Sequence, residues 1–94
     1  MTEYVIGCDV GSQGTNAALY DAGGTLVASA YEPYEVEFPR PGWAEQDPRL
    51  WDEAMRGACR RLVEGLDGDA GGIRAISFGS QLDGQVPIDG GGEP

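Results

Sequence analysis

A stretch near the amino terminus carries the residue types of a phosphate-binding turn, since Asp9 to Asn16 reads Asp-Val-Gly-Ser-Gln-Gly-Thr-Asn. Gly11 and Gly14 can adopt backbone angles closed to other residues and let a ligand approach the main chain closely. The amides there and the hydroxyls of Ser12 and Thr15 can then point at one anion. The carboxylate of Asp9 would repel a phosphate unless a hard cation lies between them. Mg²⁺ suits that position, because it is often held by one or two carboxylates plus phosphate oxygens.

The flanking residues predict that this stretch is the tip of a β-hairpin. Tyr4 to Val10 alternates between two faces, and Thr15 to Tyr20 returns beside it after the glycine-bearing turn. An ordinary turn between two strands fits the same residues, because short glycine-rich motifs have low specificity. The spacing alone therefore leaves both a phosphate site and plain connectivity open.

A second polar stretch, Gly79 to Val86, reads Gly-Ser-Gln-Leu-Asp-Gly-Gln-Val. The amide of Gln81 offers donors and acceptors, and the carboxylate of Asp83 accepts hydrogen bonds from neighbouring hydroxyls. The two side chains could thus bind a polyhydroxylated ligand. A polar turn between two strands explains these residues equally well.

The elements around these stretches predict how they come together. A turn signal at residues 21–24 leads into a third alternating run, Thr25 to Tyr31, which completes a three-stranded antiparallel meander. Three prolines then indicate an extended excursion over residues 32–42. Ile73 to Phe78 reads as a strand reached through a helix, and thus parallel to the first strand. Ligands bind beyond the carboxyl ends of such strands, so Asp9 and the residues after Phe78 are expected at one cleft.

The helix before that strand has a clear beginning and one apolar face. Asp47 can accept amide hydrogens at the helix start, Pro48 fits the first helical position, and Gly65 ends the pattern. Apolar residues recur every three or four positions, so the helix is expected to pack on the sheet, with Trp51 and Met55 in the core. The stripe consists of Leu50, Trp51, Ala54, Met55, Ala58, Cys59, Leu62, Val63 and Leu66.

The charge balance excludes several classes of mechanism and partner. The 94 residues include 16 acidic and 6 basic side chains, for a net charge of -10, and they contain neither Lys nor His. A Walker P-loop and a Schiff-base enzyme need a Lys, and a Ser-His-Asp triad needs a His, so this segment alone builds none of them. A nucleic-acid or anionic-membrane surface is not expected, because both need concentrated positive charge.

The cysteines and the apolar runs give no sign of a metal site, a redox motif or a membrane. Cys8 and Cys59 lack the paired spacing of such motifs and are interpreted as buried free thiols. No targeting signal precedes Tyr4, and no apolar run approaches the roughly 20 residues that span a bilayer. A cytoplasmic location is expected.

Two strings in the chain resemble motifs of a known family. Asp9, Gly11, Ser12 and Thr15 resemble the first phosphate motif, Asp-x-Gly-Thr/Ser, of the sugar kinase, Hsp70 and actin superfamily. The string Gly-Trp-Ala-Glu-Gln-Asp-Pro at residues 42–48 resembles the segment that xylulokinases carry before this helix. From Tyr4 to about Asp89 the chain is similar to the amino-terminal part of an FGGY-family carbohydrate kinase, and within that family most similar to xylulokinase.

The resemblance implies an α/β fold, the actin-like (ribonuclease H-like) domain, with residues 1–94 as the amino-terminal part of the first kinase domain. It implies ATP and Mg²⁺ as cofactors and a small sugar or polyol as substrate. The implied cofactor-binding residues are Asp9, Gly11, Ser12, Gln13, Gly14 and Thr15, with Asp9 as the metal ligand. The implied sugar-binding residues are Gln81, Leu82 and Asp83. The family's general base lies downstream, so no catalytic base is expected here, and residues 1–94 alone are expected not to phosphorylate sugar.

The chain departs from the family pattern at two places. Xylulokinases carry a Gly-Gln-Met-His-Gly type segment after this strand, with the Met and His positions lining the sugar, and here Leu82 and Asp83 stand there. A related pentulose or a polyol would be compatible with a carboxylate. Asn16 stands where many relatives have Lys or Arg. The alternatives are another FGGY kinase, for glycerol, ribulose or a polyol, or a non-catalytic actin-like module; a homodimer is a further expectation for the full-length protein.

Overall fold

The fold is a four-stranded mixed sheet with one helix packed on one face. The computed structural model describes residues 2–66, 69–82 and 84–94. The elements are β1 (Tyr4–Val10), β2 (Gly14–Asp21), β3 (Leu26–Pro33), α1 (Pro48–Glu64), a 3₁₀ helix (Asp69–Gly72) and β4 (Ile73–Ser80). The sheet order is β3-β2-β1-β4, in which β1 pairs antiparallel with β2 and parallel with β4. This confirms the predicted order of a meander, a helix and a parallel strand.

The core lies between α1 and one face of the hairpin formed by β1 and β2. Alternation along the strands puts Ile6 and Cys8 of β1 and Leu19 of β2 on that face. They pack against small and aliphatic residues of α1, which let the helix approach the sheet closely. The buried cluster consists of Ile6, Cys8, Ala17, Leu19, Ala58 and Leu62.

Both cysteines are free thiols in or beside this core. Burial raises the pKa of the Cys8 thiol, and the neighbouring Cys59 and Asp9 raise it further. Burial likewise raises the pKa of Cys59. Both groups are therefore protonated at neutral pH and behave as small apolar side chains, as the sequence indicated.

Helix α1 begins and ends where its sequence indicates. The Asp47 carboxylate accepts a hydrogen bond from the Arg49 amide at 3.0 Å, and Pro48 is the first helical residue. Gly65 ends the helix in a right-handed conformation, with φ -69°, so the stop does not depend on a left-handed glycine.

The strands and loops differ from prediction in several places. β2 is one residue longer than predicted at each end, and β4 extends to Ser80, two residues beyond the predicted end. β3 extends through Glu32 to Pro33, two residues beyond the predicted end. β3 is an edge strand, where a proline that cannot donate a ladder hydrogen bond is tolerated. The expected glycine and aspartate loop after α1 contains the 3₁₀ helix Asp69–Gly72, whereas residues 67–68 lie outside the described part.

β4 forms the other edge of the sheet and is mostly exposed, because α1 packs over β2 and β3 instead. Ile76 is 43% exposed and Phe78 is 55% exposed. The radius of gyration is 15.6 Å, above the roughly 12 Å expected for a compact chain of this length. No helix in the described ranges is long and apolar enough to cross a membrane.

Candidate functional site

The two polar stretches meet at one end of the sheet. In the parallel pairing of β1 and β4, Asp9 lies beside Gly79 and Val10 lies beside Ser80. The turn after β1 and the segment after β4 therefore leave the sheet at the same edge. This is the arrangement that the parallel strand predicted.

Asp9 lies on the face of the sheet that α1 does not cover. Its side chain is exposed, and its direct neighbour across the hairpin is Asn16. Both residues line a shallow groove of about 360 Å³ on that face, together with Ser77 of β4. An exposed carboxylate at this position is free to meet a hydrated cation.

Thr15 lies on the opposite face from Asp9. It is fully buried, and its hydroxyl is 3.2 Å from the hydroxyl of Tyr34. Ser12 at the turn is exposed instead. The structure thus differs from the expectation that both hydroxyls point at one anion, since only Ser12 lies where a ligand could reach it. A phosphate contact by Thr15 stays a prediction.

The two glycines of the turn are needed for close packing rather than for unusual backbone angles. Within the described ranges, the glycines with positive φ are Gly24, Gly42 and Gly92. A Cβ added to Gly14 would overlap the Tyr31 ring, and one added to Gly11 would lie 3.1 Å from the carbonyl oxygen of Gly14. The Gly11 amide donates to that same carbonyl at 3.0 Å, which closes the turn.

Three side chains from distant segments hold the carbonyl groups of the turn. Tyr34 donates its hydroxyl hydrogen to the Gly11 oxygen at 2.5 Å, and the Gln81 amide donates to the same oxygen at 3.1 Å. Gln46 donates to the Ser12 oxygen at 2.7 Å. In the part of the chain that the structure describes, the amides of Ser12 and Gln13 have no acceptor. Among the described residues, the turn therefore offers two N–H groups without an acceptor, the donor type that binds phosphate.

The three expected sugar-binding residues differ in their surroundings. Gln81 is partly buried, and its side-chain amide donates a hydrogen bond to the turn. Leu82 is 92% exposed and contacts little of the chain. Asp83 lies outside the described residues. The structure thus joins Gln81 to the turn after β1, and sugar contacts by all three residues stay predictions.

A cleft of about 810 Å³ opens between the turn, the segment before α1 and the residues after β4. Ser12 and Gln81 line it, and so do Gln46 and Trp51. Trp51 was expected in the core, but its indole N–H donates to the Gln46 side chain at 3.1 Å. That polar partner lies at the cleft, so Trp51 is only partly buried. Gln46 was not among the residues expected at the site, because its neighbours in sequence give no sign of its distant partners.

The family model for the amino-terminal domain of the FGGY family of carbohydrate kinases matches residues 4–94. The chain belongs to this family. It is 30% identical over 92 residues to a xylulose kinase of Staphylococcus epidermidis, covering 98% of this chain and 18% of that protein. It is 35% identical over 92 residues to a glycerol kinase of Halobacterium salinarum, covering 95% of this chain and 18% of that protein.

The fold of this FGGY chain matches solved sugar-kinase structures. The crystal structure of a gluconate kinase from Lactobacillus acidophilus superposes with a TM-score of 0.91 and 34% identity, covering 99% of this chain and 18% of that one. The sheet and helix described above are thus the opening elements of the actin-like domain, as expected. The chain spans about 18% of the length of these relatives. Their names refer to three different substrates, so membership of the family leaves the substrate open.

Proposed function

We propose that this chain is part of an ATP-dependent carbohydrate kinase that transfers the γ-phosphoryl group to a hydroxyl of a small sugar such as xylulose. The observation that carries the proposal is the contact between the two stretches that would hold the two substrates. The Gln81 side chain donates to the Gly11 carbonyl at 3.1 Å, which fixes the segment after β4 against the phosphate turn. Transfer between two bound molecules requires such closeness.

The turn fits the phosphates of MgATP. The amides of Ser12 and Gln13, which have no acceptor in the described ranges, would donate to phosphate oxygens. The exposed Asp9 carboxylate would hold Mg²⁺, through water. When bound, MgATP supplies the phosphoryl group and a cation that offsets the phosphate charge. The remaining turn residues in this proposal are Gly11, Gly14 and Thr15, whose main chain shapes the turn.

The sugar would lie against Gln81, Leu82 and Asp83 at the same edge. The general base would be a carboxylate outside residues 1–94, as the family resemblance implies. It would lie within hydrogen-bond reach of the attacking hydroxyl and take its proton. The relatives named for xylulose, glycerol and gluconate define the first candidate substrates. A cytoplasmic location and a homodimer of the full-length protein belong to the same proposal.

A substrate panel tests the proposal. The full-length protein is offered MgATP with xylulose, ribulose, glycerol, gluconate or ribitol, and both ADP release and the phosphorylated product are measured. We expect one acceptor to exceed the others in kcat/KM by about 10-fold or more, because binding groups are placed for particular hydroxyls. Absence of any phosphorylated product with every acceptor would contradict the proposal. Absence of ADP release as well would favour a non-catalytic module.

A further inference from the structure

Gln46 lies at the centre of the hydrogen-bond network that joins the segments of the candidate site. Its side-chain nitrogen donates to the Ser12 oxygen at 2.7 Å and, more weakly, to the Glu35 oxygen at 3.5 Å. Its side-chain oxygen accepts from the Trp51 indole and from the Gln81 amide, each at 3.1 Å. A glutamine amide has two donor hydrogens and two acceptor positions, so all of them are used.

This saturation fixes the orientation of the Gln46 amide. Turning the amide over would bring its NH₂ group against two donors, the Trp51 indole and the Gln81 amide. The second hydrogen of the Gln81 amide goes to the Gly11 oxygen at 3.1 Å. One chain of hydrogen bonds thus runs from Trp51 in α1, through Gln46 and Gln81, to the turn.

The hydrogen bonds of Gln46 and Gln81 hold the carbonyl ends of two peptide units of the turn. Gln46 and Gln81 draw the carbonyl oxygens of Ser12 and Gly11 toward themselves. The following amides, those of Gln13 and Ser12, belong to the same two peptide units and therefore point the other way. These are the two amides without an acceptor among the described residues.

We propose that Gln46 is a positioning residue that presents the amides of the turn to the phosphates and places the start of the sugar-binding segment. The proposal rests on the proposed function and deepens it. Gln46 does not contact the reacting atoms and acts through the Ser12 peptide and Gln81. Loss of its hydrogen bonds removes the side-chain partner of the Ser12 oxygen, so the Ser12–Gln13 peptide unit is held less firmly. The Gly11 oxygen keeps Tyr34 as a partner, but Gln81, its second partner, loses the support of Gln46. The effective concentration of correctly placed donors then falls.

The test compares the full-length wild-type protein with Gln46→Leu, Gln81→Leu and the double variant. Leucine keeps a similar shape without hydrogen bonds. Each single variant should lower kcat/KM for MgATP by about 10- to 100-fold, and the double variant should be little worse, because the residues act as one unit. Glu53→Gln, an exchange of carboxylate and amide on the exposed side of α1, should leave kcat/KM unchanged.

Hydrogen–deuterium exchange of the same proteins gives a measurement that does not depend on activity. The Gly11 amide closes the turn by donating to Gly14, so its exchange reports how firmly the turn is held. We expect faster exchange at Gly11 in Gln46→Leu, with core amides such as that of Leu19 unchanged. Unchanged exchange at Gly11, or an unchanged kcat/KM in an active enzyme, would overturn the positioning role. If the wild type phosphorylates no acceptor, the proposed function fails, and the exchange at Gly11 still decides whether Gln46 holds the turn.

Discussion

The strands beneath α1 and the strand at the opposite edge of the sheet carry similar apolar residues but bury them to different extents. Leu19 of β2 is fully buried and Ile6 of β1 is 4% exposed, whereas Ile76 and Phe78 of β4 are 43% and 55% exposed. The difference follows from the position of α1, which packs on the face formed by β1, β2 and β3 and leaves β4 largely exposed. Burial of apolar side chains therefore stabilises this chain mainly between α1 and the hairpin of β1 and β2. The candidate site lies where this hairpin meets β4.

Truncation of one leucine in each region should separate the covered hairpin from the exposed edge most strongly. Leu19→Ala removes a fully buried side chain and should lower the free energy of unfolding by about 2–5 kcal/mol. Leu82→Ala removes a side chain that is 92% exposed and should change it by less than about 0.5 kcal/mol. Urea unfolding of the chain measures both. If both variants lost the same free energy of unfolding, Leu82 would be buried in solution, in contrast to its exposure in this structure.

A pair of glycine substitutions sharpens the comparison at the level of single contacts. A Cβ at Gly14 in β2 would overlap the Tyr31 ring and lie 2.8 Å from the Glu32 carbonyl oxygen. A Cβ at Gly79 in β4 would have its nearest neighbour at 3.8 Å, the Asp9 carboxylate. Gly14→Ala should destabilise the fold by about 1–3 kcal/mol, and Gly79→Ala should be tolerated. If Gly14→Ala left the free energy of unfolding unchanged in the same urea titration, Tyr31 would not pack against Gly14 in solution.

One ion pair in each region should contribute little to the free energy of unfolding, and the two contributions should differ. Arg61 in α1 lies 3.1 Å from the Glu32 carboxylate and also donates to the Tyr31 carbonyl at 2.6 Å. Arg74 in β4 lies 3.4 Å from Glu3, and both of these side chains are more than half exposed. Arg61→Gln should cost up to about 1 kcal/mol and Arg74→Gln about zero, because exposed pairs are screened by water.

Salt provides the control for this pair. The loss in Arg61→Gln should shrink in 1 M NaCl, where the screening length falls to about 3 Å. A loss that does not change with salt would assign the effect to the hydrogen bond with the Tyr31 carbonyl. A larger loss in Arg74→Gln than in Arg61→Gln would contradict the comparison of the two regions.

Local sequence patterns predict the elements of the covered region well. β1 runs from Tyr4 to Val10 as its alternation indicates, and α1 begins at the predicted Asp47–Pro48 pair. Both depend on interactions between near neighbours: side chains alternating across one strand, and one carboxylate capping the next amides. The short 3₁₀ helix Asp69–Gly72 has no such pattern and was missed.

Local sequence patterns predict the candidate site only in part. The meeting of Asp9 with Gly79 follows from a parallel strand pair, so it could be predicted. The burial of Thr15 beneath Tyr34 and the hydrogen bonds of Gln46 to distant segments could not. Gln46 and Ser12 are 34 positions apart, and a side-chain contact across that distance leaves no periodic trace in the sequence.

We propose that the turn after β1 binds the phosphates of MgATP through a cation held by Asp9. The most direct test is phosphoryl transfer by the full-length protein with its preferred acceptor, comparing wild type with Asp9→Asn. Asp52→Asn, an equivalent exchange at an exposed residue of α1, is the control. We expect Asp9→Asn to lower kcat by about 100-fold or more at an unchanged unfolding midpoint. An Asp9→Asn enzyme with a kcat within about twofold of wild type would contradict it.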